Sequence, residues 1–194
     1  MIDVNGNIRH THFGEGEYDQ TEMAIQSLLK EKGEVVPSNT INMRDQTPQG
    51  MLTPETYVGS ARMERFASPE QVTGKAQTFT TLPNIPKDSF ALGGTWTIEK
   101  DQALTGKNAS LDFNFYADNV YLVITPQQGG TVKVFLDGKP VDEKNAGADV
   151  KKGVITLDTP RLYNLIDLKS HFGTHQLHLE FDTEGAGVFA FTFG

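Results

Sequence analysis

The chain has 194 residues with a net charge of −8, 37% apolar and 22% charged residues, and no cysteine. This is a globular balance, with length for one ordinary domain and an appendage. The acidic charge, with no basic run longer than Lys151–Lys152, argues against a nucleic-acid partner. No window reaches the ~20 apolar residues of a membrane helix, the start lacks a signal peptide's apolar stretch, and the missing thiols exclude disulfides, thiolate nucleophiles and Cys-based metal sites.

In chain order, "NIRHTHF" (residues 7–13) alternates as a short strand after an Asn5–Gly6 turn. A helix follows, with Asp19 as N-cap, Glu22 at the capping-box spacing, an apolar stripe of Ile25, Leu28 and Leu29 beside Ala24, and Gly33 as its end. Such a stripe needs a partner surface, since packing supplies most helical stability. Residues 34–53, rich in Pro, Asn, Gln and Gly, read as a linker. The segment "PETYVGSARMERFASPE" fits either a turn of helix or an extended loop.

From about residue 76 the pattern is β. "GTWTIEKDQALTG" predicts one strand and "ASLDFNFYADNVYLVITP" two, with Leu111, Phe113 and Phe115 on one face, then Val120, Leu122 and Ile124. "TVKVFLDGKPV" predicts a hairpin turning at Asp137–Gly138, with Val132, Val134 and Leu136 inward. "GVITLDTPRLYNLIDL" supplies two more strands. The chain closes on Leu177, Leu179 and Phe181, then Phe189, Phe191 and Phe193. Seven or eight short strands with turns between them predict a mainly β fold: an antiparallel β-sandwich or jelly roll over residues 54–194, preceded by a strand and helix in residues 1–33.

Chemistry-bearing residues are sparse. His10 and His12 would share a strand face and could ligate a metal, but a third ligand is not evident and a solvated face explains them as well. His175 and His178 are three apart and point to opposite faces of a strand, and His171 lies in a loop. Asp112, Asp118, Asp137, Asp149, Asp158, Asp167 and Asp182 are scattered over turns and outward positions. A loop Asp cluster could hold a structural calcium, though no EF-hand-like spacing supports it. Neither a nucleophile elbow nor a phosphate loop is present. The sequence therefore assigns no catalytic residue, metal or cofactor. The aromatic residues are the remaining signal. Arg161 and Tyr163 share a face of one strand, and with Tyr57 they are the candidate ligand contacts, since a ring beside a guanidinium can grip a sugar by stacking and hydrogen bonds. The competing reading packs Tyr163 and Trp96 inside with a satisfied polar tip.

"IDVNGNIRHTHFGEGEYDQTEMAIQSLL" resembles the last strand and helix of the thioredoxin-like domain of DipZ-type cytochrome c biogenesis proteins. "LTPETYVGSARMERFAS" is similar to the segment that follows there, and "RLYNLIDL" and "GVFAFTFG" to the end of that family's C-terminal jelly roll, likened to carbohydrate-binding modules. The resemblance covers nearly the whole chain, and "HFGEGEY" followed by "TPETYVG" is its most specific part. It implies a parent with a membrane-spanning redox domain, an extracytoplasmic thioredoxin-like domain and this β module. The family's Cys-x-x-Cys and cis-proline lie before the matching residues, so no catalytic residue carries over. The expectation is a fragment of the parent: the end of a thioredoxin fold joined to a complete, non-catalytic, extracytoplasmic module. Its expected partner is a cell-envelope glycan or, in the alternative, an extracytoplasmic protein client, with a homodimer through residues 7–31 as a further expectation.

Overall fold

The computed structural model describes residues 1–12, 17–36, 51–127 and 129–194. It divides into two units, Met1–Gly50 and Met51–Gly194.

In the first unit, Asp3 accepts from the backbone N–H of Asn5 and of Asn7, both at 2.9 Å, and the chain reverses at Gly6 (φ +85°). The expected turn is there. The expected strand over 7–13 is not: the described part forms an isolated bridge, Ile2 to Ile8, and residue 13 lies outside the described residues. Helix α1 spans Tyr18–Glu31. Its N-cap is Glu17 in the left-handed region (φ 50°), without a side-chain cap bond, rather than Asp19. The left-handed turn starts the helix early and leaves Asp19 in the first turn, where its charge still suits the helix dipole. Glu22 accepts from Gln26 one turn ahead at 3.0 Å instead of reaching back. Gly33 (φ +89°) ends the helix as expected, in a Schellman arrangement: Gly33 N–H to Lys30 O at 2.9 Å and Glu34 N–H to Leu29 O at 3.0 Å. Ile25 and Leu29 remain 39% and 36% exposed, so the apolar stripe is only partly covered. Most of the predicted linker, residues 37–50, lies outside the described residues.

The second unit is an antiparallel β-sandwich with thirteen strands among the described residues. They are β1 (Thr56–Tyr57), β2 (Gln77–Phe79), β3 (Ser89–Ile98), β4 (Ala103–Thr105), β5 (Ser110–Ala117), β6 (Asn119–Thr125) and β7 (Thr131–Leu136). Then come β8 (Lys139–Pro140), β9 (Val150–Lys151), β10 (Val154–Thr156), β11 (Arg161–Asp167), β12 (Gly173–Phe181) and β13 (Gly187–Phe193). One sheet runs β11-β6-β13-β4-β3, with β1 on β13 and β2 on β3; the other runs β3-β5-β12-β7-β10-β9, with β8 on β7. The count exceeds the sequence expectation because strands of two or three residues are too short to show a period. The predicted single strand over "GTWTIEKDQALTG" is the hairpin β3–β4, closed by Glu99 N–H to Gln102 O at 2.8 Å.

Strand β3 belongs to both sheets. Ser89 to Gly93 pair with β5, and Gly94 onward pairs with β2 and then β4. The switch needs glycine. Gly94 has φ +72°, and a Cβ there would lie 2.0 Å from the Asn108 carbonyl oxygen. Between the sheets, Phe113 meets Phe191 at 5.0 Å and Trp96 meets Phe181 edge-on at 5.4 Å. The predicted inward residues of β5, β6, β7 and β12 are buried. Strand β13 departs from its alternation: a register shift between Val188 and Phe191 buries both, and Phe189 is only half-buried. Thr53, read as the last linker residue, is built into the sandwich, accepting from Tyr116 N–H at 2.7 Å and donating to Asp88 at 2.6 Å. The segment left open after it is extended, with β1 and a bridge from Phe66 to Phe90.

Candidate ligand-binding groove

The outer face of the second sheet carries a polar row that strand pairing assembles. Antiparallel register sets His178 of β12 opposite Asp112 of β5 on one side and Phe135 of β7 on the other. One rung along, Gln176 faces Asn114, and on the other side Glu180 faces both Ser110 and Lys133. These positions point outward because their neighbours Leu111, Phe113, Leu177 and Leu179 take the core. Over this face lies a groove of about 670 Å³, bordered by the strap Leu82–Ile85 and floored by Asp112, Asn114, Phe135, Gln176 and His178. Asn114 ties the strap down, its Nδ2 donating to the Ile85 carbonyl at 2.9 Å. A carbonyl only accepts, so the amide is held with its nitrogen toward the strap.

Within the row, His178 Nδ1 and Asp112 Oδ1 are 2.6 Å apart, and His178 Nε2 lies 3.7 Å from Glu180. The bond to Asp112 holds the imidazolium pKa above the ordinary histidine value, against the effect of burial. Lys133 donates to Glu180 at 3.0 Å, and that bond lowers the glutamate's pKa. The Phe135 ring flanks the imidazole, with centroids 5.5 Å apart. Two hydrogen-bonding amides, one aromatic ring and the contacts Asp112–His178 and Lys133–Glu180 thus share one face of the sheet.

The residues expected to bind sugar sit elsewhere and are engaged internally. Tyr163 on β11 has no accessible surface, so a sugar has no ring face to stack on there. Its hydroxyl lies 2.7 Å from the Thr159 carbonyl and 2.8 Å from the Asp158 carboxylate. That contact is the leading cause that brings the Asp158 pKa down to about 2. Arg161 caps the Tyr163 ring, its Cζ 3.9 Å from the centroid, and bridges Asp149 at 2.9 Å and Asp158 at 3.1 Å. Tyr57 is half-buried, with the Arg62 guanidinium 3.5 Å over its ring. Trp96 is buried, its indole N–H donating to Gly93 O at 2.9 Å. For Tyr163 and Trp96 the packed reading is the one the structure adopts. His175 and His178 do face opposite ways: His175 stands against Phe115 and Asp137, and His178 lines the groove. His12 contacts Glu17 at 3.2 Å. Among the described residues, no three His, Asp or Glu side chains cluster as metal ligands.

The groove residues were missed by sequence reasoning. Their signal was the alternation in "LDFNF" and "HQLHLEF", which marks Asp112, Asn114, Gln176 and His178 as outward. Which outward residues meet is a matter of strand register, and the sequence carried no sign of it.

The chain is 31% identical over 199 residues to "Protein DipZ" of Mycobacterium bovis and of Mycobacterium tuberculosis, covering 100% of this chain and 26% of each relative. The chain thus spans about a quarter of the curated relatives it matches. Among solved structures, a family two carbohydrate esterase from Clostridium thermocellum in complex with cellohexaose aligns with 48% of this chain and 27% of its own, at 19% identity and a TM-score of 0.39. A two-domain esterase active on acetylated mannans aligns with 89% of this chain and 45% of its own, at 10% identity and a TM-score of 0.35. Residues 53–194 match the model of the thioredoxin-like C-terminal domain, and the chain is a homologue of DipZ that belongs to this family.

Proposed function

We propose that this chain is a non-catalytic module of an extracytoplasmic, DipZ-type thiol–disulfide protein, and that its groove binds carbohydrate of the cell envelope. The observation that carries the reading is the groove on the outer face of β5, β7 and β12, where Asn114, Gln176 and the Asp112–His178 pair stand beside the Phe135 ring. With no cysteine, the chain has no thiol–disulfide active site of its own. Redox chemistry in this reading belongs to other parts of the longer protein, and the module holds them close to the envelope. No helix among the described residues is long and apolar enough to cross a membrane.

Affinity electrophoresis through gels containing envelope polysaccharides tests the proposal. Retardation of the wild type, lost in Gln176→Ala with an unchanged melting temperature, is the expected result. Free migration in every polysaccharide would refute it.

A second reading, a protein-interaction module, is favoured by one observation. In the first unit Ile2, Ile8 and Met23 are 65%, 72% and 55% exposed, and Ile25 and Leu29 of α1 are 39% and 36% exposed. A second copy of the chain, docking through residues 7–31, would cover Ile8 and residues of α1.

A further inference from the structure

A second hollow of about 420 Å³ lies on the same face, bordered by Thr81, Asn108, Ser110 and Glu180, and His178 lines this hollow as well as the first. His178 is therefore the point where the two meet. The hollows follow one another along β12 from Gln176 to Phe181, a run of roughly 17 Å at the rise of an extended strand.

The charged groups here form closed pairs. Asp112, from β5, engages His178. Glu180, next but one on the histidine's own strand, engages Lys133 from β7 and approaches His178 from the other side. Strand β3 presents only Ala91 opposite Asp112, and the strap residues Leu82–Ile85 bring no charge. While His178 is protonated, two cations answer two carboxylates. A charged ligand of either sign would find its counter-charge already engaged in a pair, and binding it would first have to part that pair. Hydroxyl groups meet no such penalty, since the amides of Gln176 and Asn108 and the hydroxyls of Thr81 and Ser110 both donate and accept.

Resting on the carbohydrate reading above, we propose that the two hollows form one site for an extended, uncharged glycan laid across His178, and that the closed pairing around Glu180 excludes acidic chains. His178 and Glu180 are the residues that set this specificity.

The test uses the whole chain in calorimetric titrations with neutral hexasaccharides of glucose, mannose, galactose and N-acetylglucosamine, their disaccharides, and hexasaccharides of uronic acids. One neutral hexasaccharide is expected to bind at least about tenfold tighter than its disaccharide, because it engages both hollows. Uronic chains are expected not to bind the wild type. Glu180→Gln frees Lys133 and is expected to gain binding of a uronic hexasaccharide, with an unchanged melting temperature. A uronic chain that binds the wild type as tightly as the neutral one would overturn the exclusion, and a disaccharide matching its hexasaccharide would overturn the extended site. Either result leaves the carbohydrate reading standing. Failure of every saccharide to bind overturns that reading and this inference together.

Discussion

Replacing Tyr163 separates a packing role from a binding role. The ring is inaccessible, and its hydroxyl both accepts from the backbone N–H of Asp158 at 3.1 Å and donates into the Asp158–Thr159 turn. Tyr163→Phe keeps the ring but removes the hydroxyl's bonds to the exposed Asp158–Thr159 turn, which costs about 0.5–1.5 kcal/mol. Tyr163→Ala also removes a buried aromatic side chain and opens a cavity beneath Arg161, for about 3–5 kcal/mol. At about 2–4 °C per kcal/mol for a domain of this size, the alanine variant should melt roughly 10 °C lower and the phenylalanine variant a few degrees lower. Urea denaturation followed by circular dichroism would measure both losses, and glycan retention well below the melting range should be unchanged in both. A Tyr163→Ala protein that keeps its stability within 1 kcal/mol but loses retention would refute this placement and return Tyr163 to the ligand surface.

The other predictions concern the backbone, the groove's charge and the first unit. Gly94→Ala should destabilise by about 2–5 kcal/mol, from left-handed strain plus the clash with Asn108, whereas Gly138→Ala, with φ +75° but open space around it, should cost only about 1–2 kcal/mol; equal costs in chemical denaturation would contradict the sheet-switch argument. His178 has a raised folded-state pKa, so its bond to Asp112 stabilises fully below the unfolded histidine value near 6.5 and is lost as pH rises through the folded one. Asp112→Asn should accordingly lower stability at pH 5–6 and much less at alkaline pH, and a deficit independent of pH would show that the bond does not depend on the proton. If the first unit self-associates, light scattering should report a dimer that Leu28→Asp disrupts, and a monomer at all concentrations would dismiss that partner. Insulin reduction should stay at the no-protein rate, because no thiolate is available to attack a disulfide; turnover above it would disprove the assignment.

Much of the sandwich was legible in the sequence, because a strand with one buried face must alternate and the alternation survives without knowledge of its neighbours. Leu111, Phe113 and Phe115, and likewise Val120, Leu122 and Ile124, are buried as their spacing requires. The turn at Asp137–Gly138 was readable for a related local reason: both residues take positive φ, which Asp-Gly tolerates. Helix α1 was legible from its stripe and its terminal glycine, though the left-handed Glu17 that starts it was not. Only the tertiary structure decided matters of register and layer. It paired β5 with β12 so that Asp112 meets His178, sent β3 across both sheets at Gly94, and turned Tyr163 inward beneath Arg161. Period-two patterning states which face a residue takes. It does not state which strand lies alongside or which sheet covers that face, and those depend on packing between segments far apart in the chain, as where Thr56 pairs with Phe191.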